Sequence, residues 1–380
     1  MNKRKLKYGM VGGGHGAFIG AVHRMAANLD GQLELVCGAF SSKPEKSKAS
    51  GADLFLPEER CYGTFEEMML SEAALPSDVR MDFVVIVTPN HLHFPAAKSA
   101  MENGFHVVSD KPATLTADEA RTLRSLSKKT GLLYALTHNY TGYPMVRQAR
   151  VMVRDGMLGK IRKVVVEYPQ GWLSQDDGGV WRTDPAIAGA GGCLGDIGSH
   201  AENLAAYITG LDLDEIAADL TAFVEGRRLD DDVNVLLRYK GGAKGILQSS
   251  QIAVGEENDI RIFVYGETGG LEWRQFESNT LLFKPDGAPV QRYRTGVGEL
   301  SPEAVAATRV PAGHPEGYIE AFANIYVGFT DHLRSILDSH YERNAVLDYP
   351  GVDEAVAGMA FIEAAVESSK KNAAWTKVNA

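Results

Sequence analysis

Cysteine is scarce in this chain: Cys37, Cys61 and Cys193 are the only three in 380 residues. They are too few and too scattered for a disulfide framework or a zinc knuckle, and they suit a reducing compartment. Cys37 falls in an apolar, strand-like run, where a small buried residue is the simplest reading. Basic charge is also in short supply, with 39 Lys and Arg against 49 Asp and Glu and a formal net charge of -10. That balance favours solubility and argues against a nucleic-acid partner, whose phosphates would call for a basic face. Long apolar runs are missing too. No stretch approaches the roughly 18 uninterrupted apolar residues that cross a bilayer. The N-terminus begins basic, as a signal peptide does, but glycines break the apolar stretch before an h-region can form. The expectation is a cytoplasmic protein with no membrane partner.

What is present reads as globular: 44% of residues are hydrophobic and 23% charged, ordinary values for a folded protein. The length suggests two domains. No repeat, low-complexity tract or Pro/Ser-rich linker separates them. In the first third, short β-branched runs (Tyr8–Val11, Leu33–Gly38, Phe83–Val87, Phe105–Val108, Leu132–Leu136) alternate with helical patterns. Phe18, Val22, Met25, Ala26 and Leu29 repeat at helical spacing before Gly31, and Thr116–Glu119 is a capping-box pattern whose helix Gly131 closes. This rhythm predicts an α/β fold whose N-terminal domain, residues 1–139, is a doubly wound parallel sheet of Rossmann type.

From residue 140 to 380 the grammar changes. A helix over Met145–Asp155 leads to runs at Ile161–Tyr168, Ala217–Val224, Val233–Tyr239, Ala243–Ser250, Ile260–Tyr265 and Leu281–Lys284. Short turns such as Lys240–Ala243 and Glu267–Gly270 join several of them. Short connections imply antiparallel neighbours, so this half predicts an α+β domain with an open, mostly antiparallel sheet. Helices over Glu316–Asp338 and Val352–Lys370 finish the chain, the last of them expected to pack back on the first domain.

The first strand–helix junction carries Gly12-Gly-Gly14-His15-Gly-Ala17-Phe18. In this G-x-G-x-x-A spacing Gly12 permits the tight turn, Gly14 lets backbone approach a pyrophosphate, Ala17 allows close helix packing, and the helix N-terminus offers N–H donors. A glycine cluster alone is weak, but strand, motif, amphipathic helix and second strand follow in the expected order. The motif therefore predicts dinucleotide binding. An NAD-type site usually ends its second strand with Asp or Glu. Here the tip reads Ser41-Ser42-Lys43-Pro-Glu-Lys46. Two hydroxyls with Lys43 and Lys46 suit a 2′-phosphate, so the reading leans to NADP over NAD; a plain turn with solvated lysines stays open. Thr88-Pro-Asn90-His-Leu-His93 follows the third strand at its carboxyl end, where such sheets bind ligands. With no carboxylate or Cys near His91 and His93, no metal is expected.

Ser109-Asp110-Lys111-Pro112 ends the next strand. Downstream, Gly189–His200 is a glycine-rich approach to a helix on which Asp196 and His200, four apart, share a face. Oxidising a carbinol needs a base for the hydroxyl proton, and a lysine can polarise the same oxygen. A neutral imidazole tuned by a carboxylate fits that task. Singly, each residue has a duller explanation, a surface loop for Lys-Pro and a capped helix end for Asp and His. Trp172 and Trp181-Arg182 flank the glycine-rich loop and suit ring hydroxyls or an acidic group, with plain loop packing as the rival reading. His314-Pro-Glu-Gly-Tyr318 opens a late helix, and Asn139 and Tyr140 end the first domain's last strand.

Together, the glycine turn, Thr-Pro-x-x-x-His, (Glu/Asp)-Lys-Pro and Asp-x-x-x-His resemble the Gfo/Idh/MocA family, the glucose–fructose oxidoreductase and inositol dehydrogenase relatives, over nearly the whole chain. The resemblance implies a nicotinamide-dependent enzyme moving a hydride at a secondary carbinol or ketone carbon of a sugar, cyclitol or glycoside. It implies Lys111 as substrate-polarising lysine, His200 as general acid/base and Asp196 as its partner and a substrate ligand. Cofactor contacts are expected from Gly12, Gly14, His15, Ala17, Phe18, Ser41, Ser42, Lys46, Thr88, Asn90, His93, Asp110, Lys111 and Asn139. Substrate contacts are expected from Lys111, Tyr140, Trp172, Arg182, Asp196, His200, His314 and Tyr318. Asp110 stands where the family more often has Glu, and the tip at Ser41 lacks the acid; both leave cofactor choice open. A homodimer or homotetramer is implied by the resemblance alone. Two alternatives stand beside this reading: a glycoside-cleaving enzyme working by transient C3 oxidation and elimination, and a non-catalytic dinucleotide-sensing regulator.

Overall fold

Short β-branched strands separated by helices build the first half, as the pattern predicts. The computed structural model describes residues 4–175 and 179–380. Its chain divides into two units. One comprises Met1–Thr114, Asp118–Thr137 and Phe322–Val356; the other comprises Leu115–Ala117, His138–Ala321 and Ala357–Ala380.

In the first unit the strands are β1 (Leu6–Gly12), β2 (Leu33–Ala39), β3 (Phe83–Val87), β4 (His106–Ser109) and β5 (Tyr134–Leu136). They form a parallel sheet in the order β2-β1-β3-β4-β5. Every residue of β3 is buried, as a central parallel strand covered on both faces requires. The helices are α1 (Phe18–Asn28), α2 (Pro44–Asp53), α3 (Phe65–Ala74), α4 (His93–Glu102) and α5 (Ala117–Thr130). Met68, Met81, Val84, Ile86, Phe105, Val107 and Leu136 share one buried cluster. The strand order reverses direction between β1 and β3, which makes their carboxyl ends the natural ligand crevice. The alternation with helical patterns implies helices here, α4 among them as the one that follows His93, without giving bounds for α2, α3 or α4. Helix α2 is lysine-rich with little apolar periodicity, and α3 is capped by Thr64, whose hydroxyl accepts from the Glu67 N–H at 3.1 Å, and buries Met68 and Met69.

The second unit is built on nine strands: β6 (Lys163–Pro169), β7 (Leu213–Thr221), β8 (Asp232–Tyr239), β9 (Lys244–Ser250), β10 (Arg261–Tyr265), β11 (Gly269–Arg274), β12 (Thr280–Pro285), β13 (Gln291–Arg294) and β14 (Thr376–Lys377). Their order is β13-β12-β11-β10-β6-β9-β8-β7-β14. All neighbours are antiparallel except β6 and β9. Burial alternates along β8 and β9, the mark of one packed and one open face. The open, mostly antiparallel sheet is as expected, while the sequence pattern does not give β11, β13 or β14; Gly269-Gly270, a turn by its composition, opens β11 as strand. The helices of this unit are α6 (Pro144–Arg154), α7 (Pro185–Ala188), α8 (Ser199–Thr209) and α9 (Pro302–Ala306). Helix α10 (Tyr318–Leu337) starts in it and belongs to the first unit from Phe322 on, while α11 (Val352–Lys370) starts in the first unit and belongs to the second from Ala357 on. Among the described residues, no helix is long and apolar enough to cross a membrane.

Candidate functional site

In the first unit, Gly12 ends β1 in register with Val87 of β3. Its φ of +81° suits glycine, and a Cβ there would lie 2.8 Å from the Val87 carbonyl oxygen. A Cβ on Gly14 would lie 2.7 Å from Ser50 Oγ and 2.8 Å from the Phe40 carbonyl. The closest helix approach is made by Gly20, whose Cβ would sit 2.4 Å from Gly13 Cα. The motif reading assigned that packing role to Ala17, which instead stands as the helix N-cap, its N–H on the Gly14 carbonyl at 3.0 Å. The turn thus presents backbone, and α1 starts without a side-chain cap, the arrangement a pyrophosphate needs. His15 pairs with Asp53 at the surface, and Phe18 is 76% exposed.

At the tip of β2, Ser41 Oγ accepts from the Lys43 N–H at 3.2 Å and so shapes its own turn. Ser42, Lys43 and Lys46 are exposed, Lys43 capping α2 and Lys46 lying on it. Two serines further along, unnoticed in the sequence, tie this connection down. Ser47 Oγ accepts from the Phe40 N–H at 2.9 Å, and Ser50 Oγ accepts from the His15 N–H at 3.1 Å.

Beyond β3 and β4, Thr88 Oγ1 and His91 Nδ1 are buried without a hydrogen-bond partner. Buried polar atoms left in that state point to a missing ligand or water. Asn90 is buried beside them. His93 is buried with Nδ1 2.7 Å from the Pro112 carbonyl and Nε2 2.9 Å from that of Thr88. It braces the two loops against each other, and burial lowers its pKa. Asp110 Oδ1 accepts from the Lys111 N–H at 2.8 Å and from Thr137 Oγ1 at 3.1 Å. Lys111 itself is half-buried. A glycine-rich turn, an uncapped helix start and orphaned polar atoms at neighbouring strand ends fit a dinucleotide.

In the second unit, the glycine-rich stretch winds one π-turn over Leu194–Gly198 before α8 begins, so Asp196 sits in that wider turn and His200 in the first α-helical one. Asp230 holds the approach. Its carboxylate accepts from the Gly192 N–H at 2.8 Å and the Leu194 N–H at 2.7 Å, and burial pushes its pKa up to about 6. Asp196 Oδ2 accepts from Gln251 Nε2 at 2.8 Å and lies 3.6 Å from Arg182 Nε. The Arg182 guanidinium stacks over the Trp181 ring at 4.5 Å.

His200 is buried, its Nδ1 3.3 Å from Nδ1 of His138. Tyr140 and Tyr168 present their rings to it at 5.0 and 6.3 Å. Their hydroxyls meet at 2.5 Å, and Tyr168 donates to Asn258 Oδ1 at 2.8 Å. Gln170 donates to the same oxygen and accepts from Trp172 Nε1 at 2.8 Å. Tyr318 lies against Tyr140 at 6.4 Å. Asn139, fully buried, keeps Nδ2 without a partner. Of the expected substrate residues in this unit, Tyr140, Trp172, Arg182, Asp196, His200 and Tyr318 thus belong to linked networks. His314 is exposed, its ring on the Pro311 carbonyl at 3.0 Å. His138, Tyr168, Gln170, Gln251 and Asn258 were missed. His138 alone had a signal, its place just after β5. Among the described residues, no group of three His, Cys, Asp or Glu side chains is arranged to hold a metal.

Comparison with known proteins agrees with this architecture. Residues 6–140 match an oxidoreductase family with an NAD-binding Rossmann fold, and residues 146–272 match the GFO/IDH/MocA C-terminal domain. The uncharacterized oxidoreductase YfiI of Bacillus subtilis is 33% identical, over 98% of this chain and 97% of its own. A solved oxidoreductase from Sinorhizobium meliloti is 46% identical with a TM-score of 0.90, covering 98% of this chain and 100% of its own. An inositol dehydrogenase homolog from Azotobacter vinelandii, solved with NADH and myo-inositol, is 33% identical with a TM-score of 0.92, covering 99% of this chain and 100% of its own. The chain belongs to the Gfo/Idh/MocA family of oxidoreductases, its N-terminal part the family's NAD-binding Rossmann fold.

Proposed function

We propose that this oxidoreductase is a dehydrogenase acting on a secondary carbinol of a cyclitol or sugar, or the corresponding ketone reductase in reverse. The observation that carries the reading is the convergence around His200: a buried imidazole packed on two tyrosines, and one helical turn earlier a carboxylate tied to Gln251 and Arg182. Such a group offers a proton acceptor beside several hydrogen-bonding side chains, which suits a ring of hydroxyls. The myo-inositol bound by the Azotobacter homolog supports a cyclitol. The nicotinamide, when bound, supplies the two-electron acceptor. Gly12 and Gly14 would hold its pyrophosphate by backbone, with Thr88, His91, Asn90 and Asn139 offering polar atoms to the rest. Lys111 polarises the carbinol oxygen and steadies the alkoxide. His200 takes the hydroxyl proton, and Asp196 orients a neighbouring hydroxyl.

NADP(H) belongs to the same reading, supported by the exposed Ser42, Lys43 and Lys46 beyond β2 and by the lack of an Asp or Glu at the strand's end, with Glu45 following in the first turn of α2. A homodimer or homotetramer through the open sheet face belongs to the same reading. The cross-strand partners Leu236 and Ile246 are 50% and 37% exposed on it. Steady-state assays with NAD+ and NADP+ against cyclitols, aldoses and glycosides test the proposal. Reduction of the dinucleotide by one polyol class supports it. Net glycoside cleavage with no dinucleotide consumed would replace it by the elimination reading, and binding without any turnover by the sensor reading.

A further inference from the structure

We propose that His138 is a positioning residue for His200, accepting its Nδ1 proton and so fixing the tautomer whose Nε2 lone pair takes the carbinol proton. The assignment rests on the dehydrogenase reading above. The two Nδ1 atoms are 3.3 Å apart and the rings lie 5.1 Å apart at 84°. Both imidazoles are buried. Two like nitrogens at this distance hold one proton between them: two bare lone pairs repel, and two N–H groups clash. The placement of that proton decides which nitrogen of His200 is basic, because each ring's tautomer is set by what its other nitrogen does. With Nδ1 engaged by His138, base chemistry falls to Nε2, which requires the shared proton to reside on His200.

The backbone holds His138 in place. Its carbonyl accepts from Thr141 Oγ1 at 2.9 Å and the Thr141 N–H at 3.2 Å, within a short turn after β5. Tyr140 and Tyr168 face the His200 ring, and Tyr318 lies on Tyr140; Asp196, one turn before His200, is held by Gln251 and Arg182. Burial pushes the Tyr140 hydroxyl up to about 12 and Tyr168 well up also. Near neutral pH the proton exchange therefore belongs to the imidazoles. The step moves no electrons within the pair. The carbinol O–H bond breaks with its electron pair left on oxygen, an N–H bond forms at Nε2, and the resulting imidazolium keeps Nδ1–H donating to His138. The pair then titrates as a unit, with two macroscopic steps.

The test is 15N NMR of the full chain labelled at histidine, with signals assigned through His200→Gln and His138→Asn, alongside kinetics. Wild-type protein at alkaline pH should show His200 protonated at Nδ1 and bare at Nε2. His138→Leu should mix the tautomers, reduce the two-step titration of His200 to one step, and lower kcat about tenfold or more with KM within about twofold. His138→Asn, whose Oδ1 can accept the same hydrogen bond, should recover most of kcat and the Nδ1-protonated form. A wild-type His200 protonated at Nε2 overturns the proposal even if no variant folds. A His138→Leu enzyme with an unchanged kcat–pH profile and unchanged His200 resonances also overturns it. Absence of wild-type turnover on every polyol sinks the dehydrogenase reading instead, and the tautomer measurement still decides the pairing.

Discussion

Arg60→Ala is expected to destabilise the first unit by about 3–5 kcal/mol, the cost of leaving a buried carboxylate without its cation. Glu72 has no exposed surface, and the Arg60 side chain is 15% exposed. Arg60 donates to both carboxylate oxygens at 2.7 Å, Tyr62 donates its hydroxyl at 2.8 Å, and the Met81 N–H completes the set at 3.1 Å. One carboxylate thus joins α3 to the segment between α2 and α3 and to the approach to β3. Removing the guanidinium leaves Tyr62 and Met81 to compensate a charge with no access to water. Adding Glu72→Gln to Arg60→Ala should recover part of the loss, because a neutral amide still accepts from Tyr62 or Met81. A chain of two units need not unfold in one step. Calorimetry should therefore be paired with hydrogen exchange across α3 and β3. A loss below about 1 kcal/mol, the range of exposed pairs, would refute the reasoning.

Gly14→Ala should weaken dinucleotide binding about ten- to a hundredfold, since the new Cβ would meet the Phe40 carbonyl at 2.8 Å and the turn must move; a fluorescence titration with NADH and NADPH reads this, and unchanged affinity would show that the turn does not carry the phosphates. Asp230 titrates at about 6 in the fold because burial disfavours its charge, against about 3.9 when unfolded. The folded state therefore holds this proton more tightly, and the group's contribution to stability is full below the unfolded pKa and lost as pH rises through 6. Asp230→Asn should remove that component from urea midpoints measured between pH 4 and 7, and superimposable slopes for the two proteins would contradict it. Lys111→Ala and His200→Ala should each abolish most turnover while cofactor affinity stays nearly intact; full activity in either would remove that residue from the mechanism.

Local pattern announces what neighbours in sequence can build. The all-apolar run Phe83–Val87 and the long helix at Val352–Lys370 fall where hydrophobic pattern and stop signals place them. Turn chemistry does the same for the hairpin at Lys240–Ala243, where the Tyr239 N–H donates to the Ala243 carbonyl at 3.0 Å. Where glycine serves as strand rather than turn, as in β11, the same cue misleads; Gly270 pairs with Tyr265 across the ladder. The candidate site divides along the same line. Gly12, Gly14 and Thr88 stand out as candidates because their places, at strand ends, are set by local backbone. His138 and His200 are 62 residues apart, and Asn258 and Tyr168 are 90 apart. Partners at that separation leave no periodic trace, so only the fold reveals them. Asp230 is similar: nothing around it in sequence says that its carboxylate organises Gly192 and Leu194, 38 and 36 residues away.

The proposed reaction is hydride transfer between a polyol carbon and a nicotinamide. It is tested most directly by incubating the protein with NAD+ or NADP+ and a cyclitol carrying deuterium on its ring carbons, then locating the label by NMR. Hydride transfer places deuterium at C4 of the reduced nicotinamide, on one face only, together with the matching ketone, and gives neither product with His200→Ala. Reduced dinucleotide without label, or ketone formed without reduced dinucleotide, would contradict it.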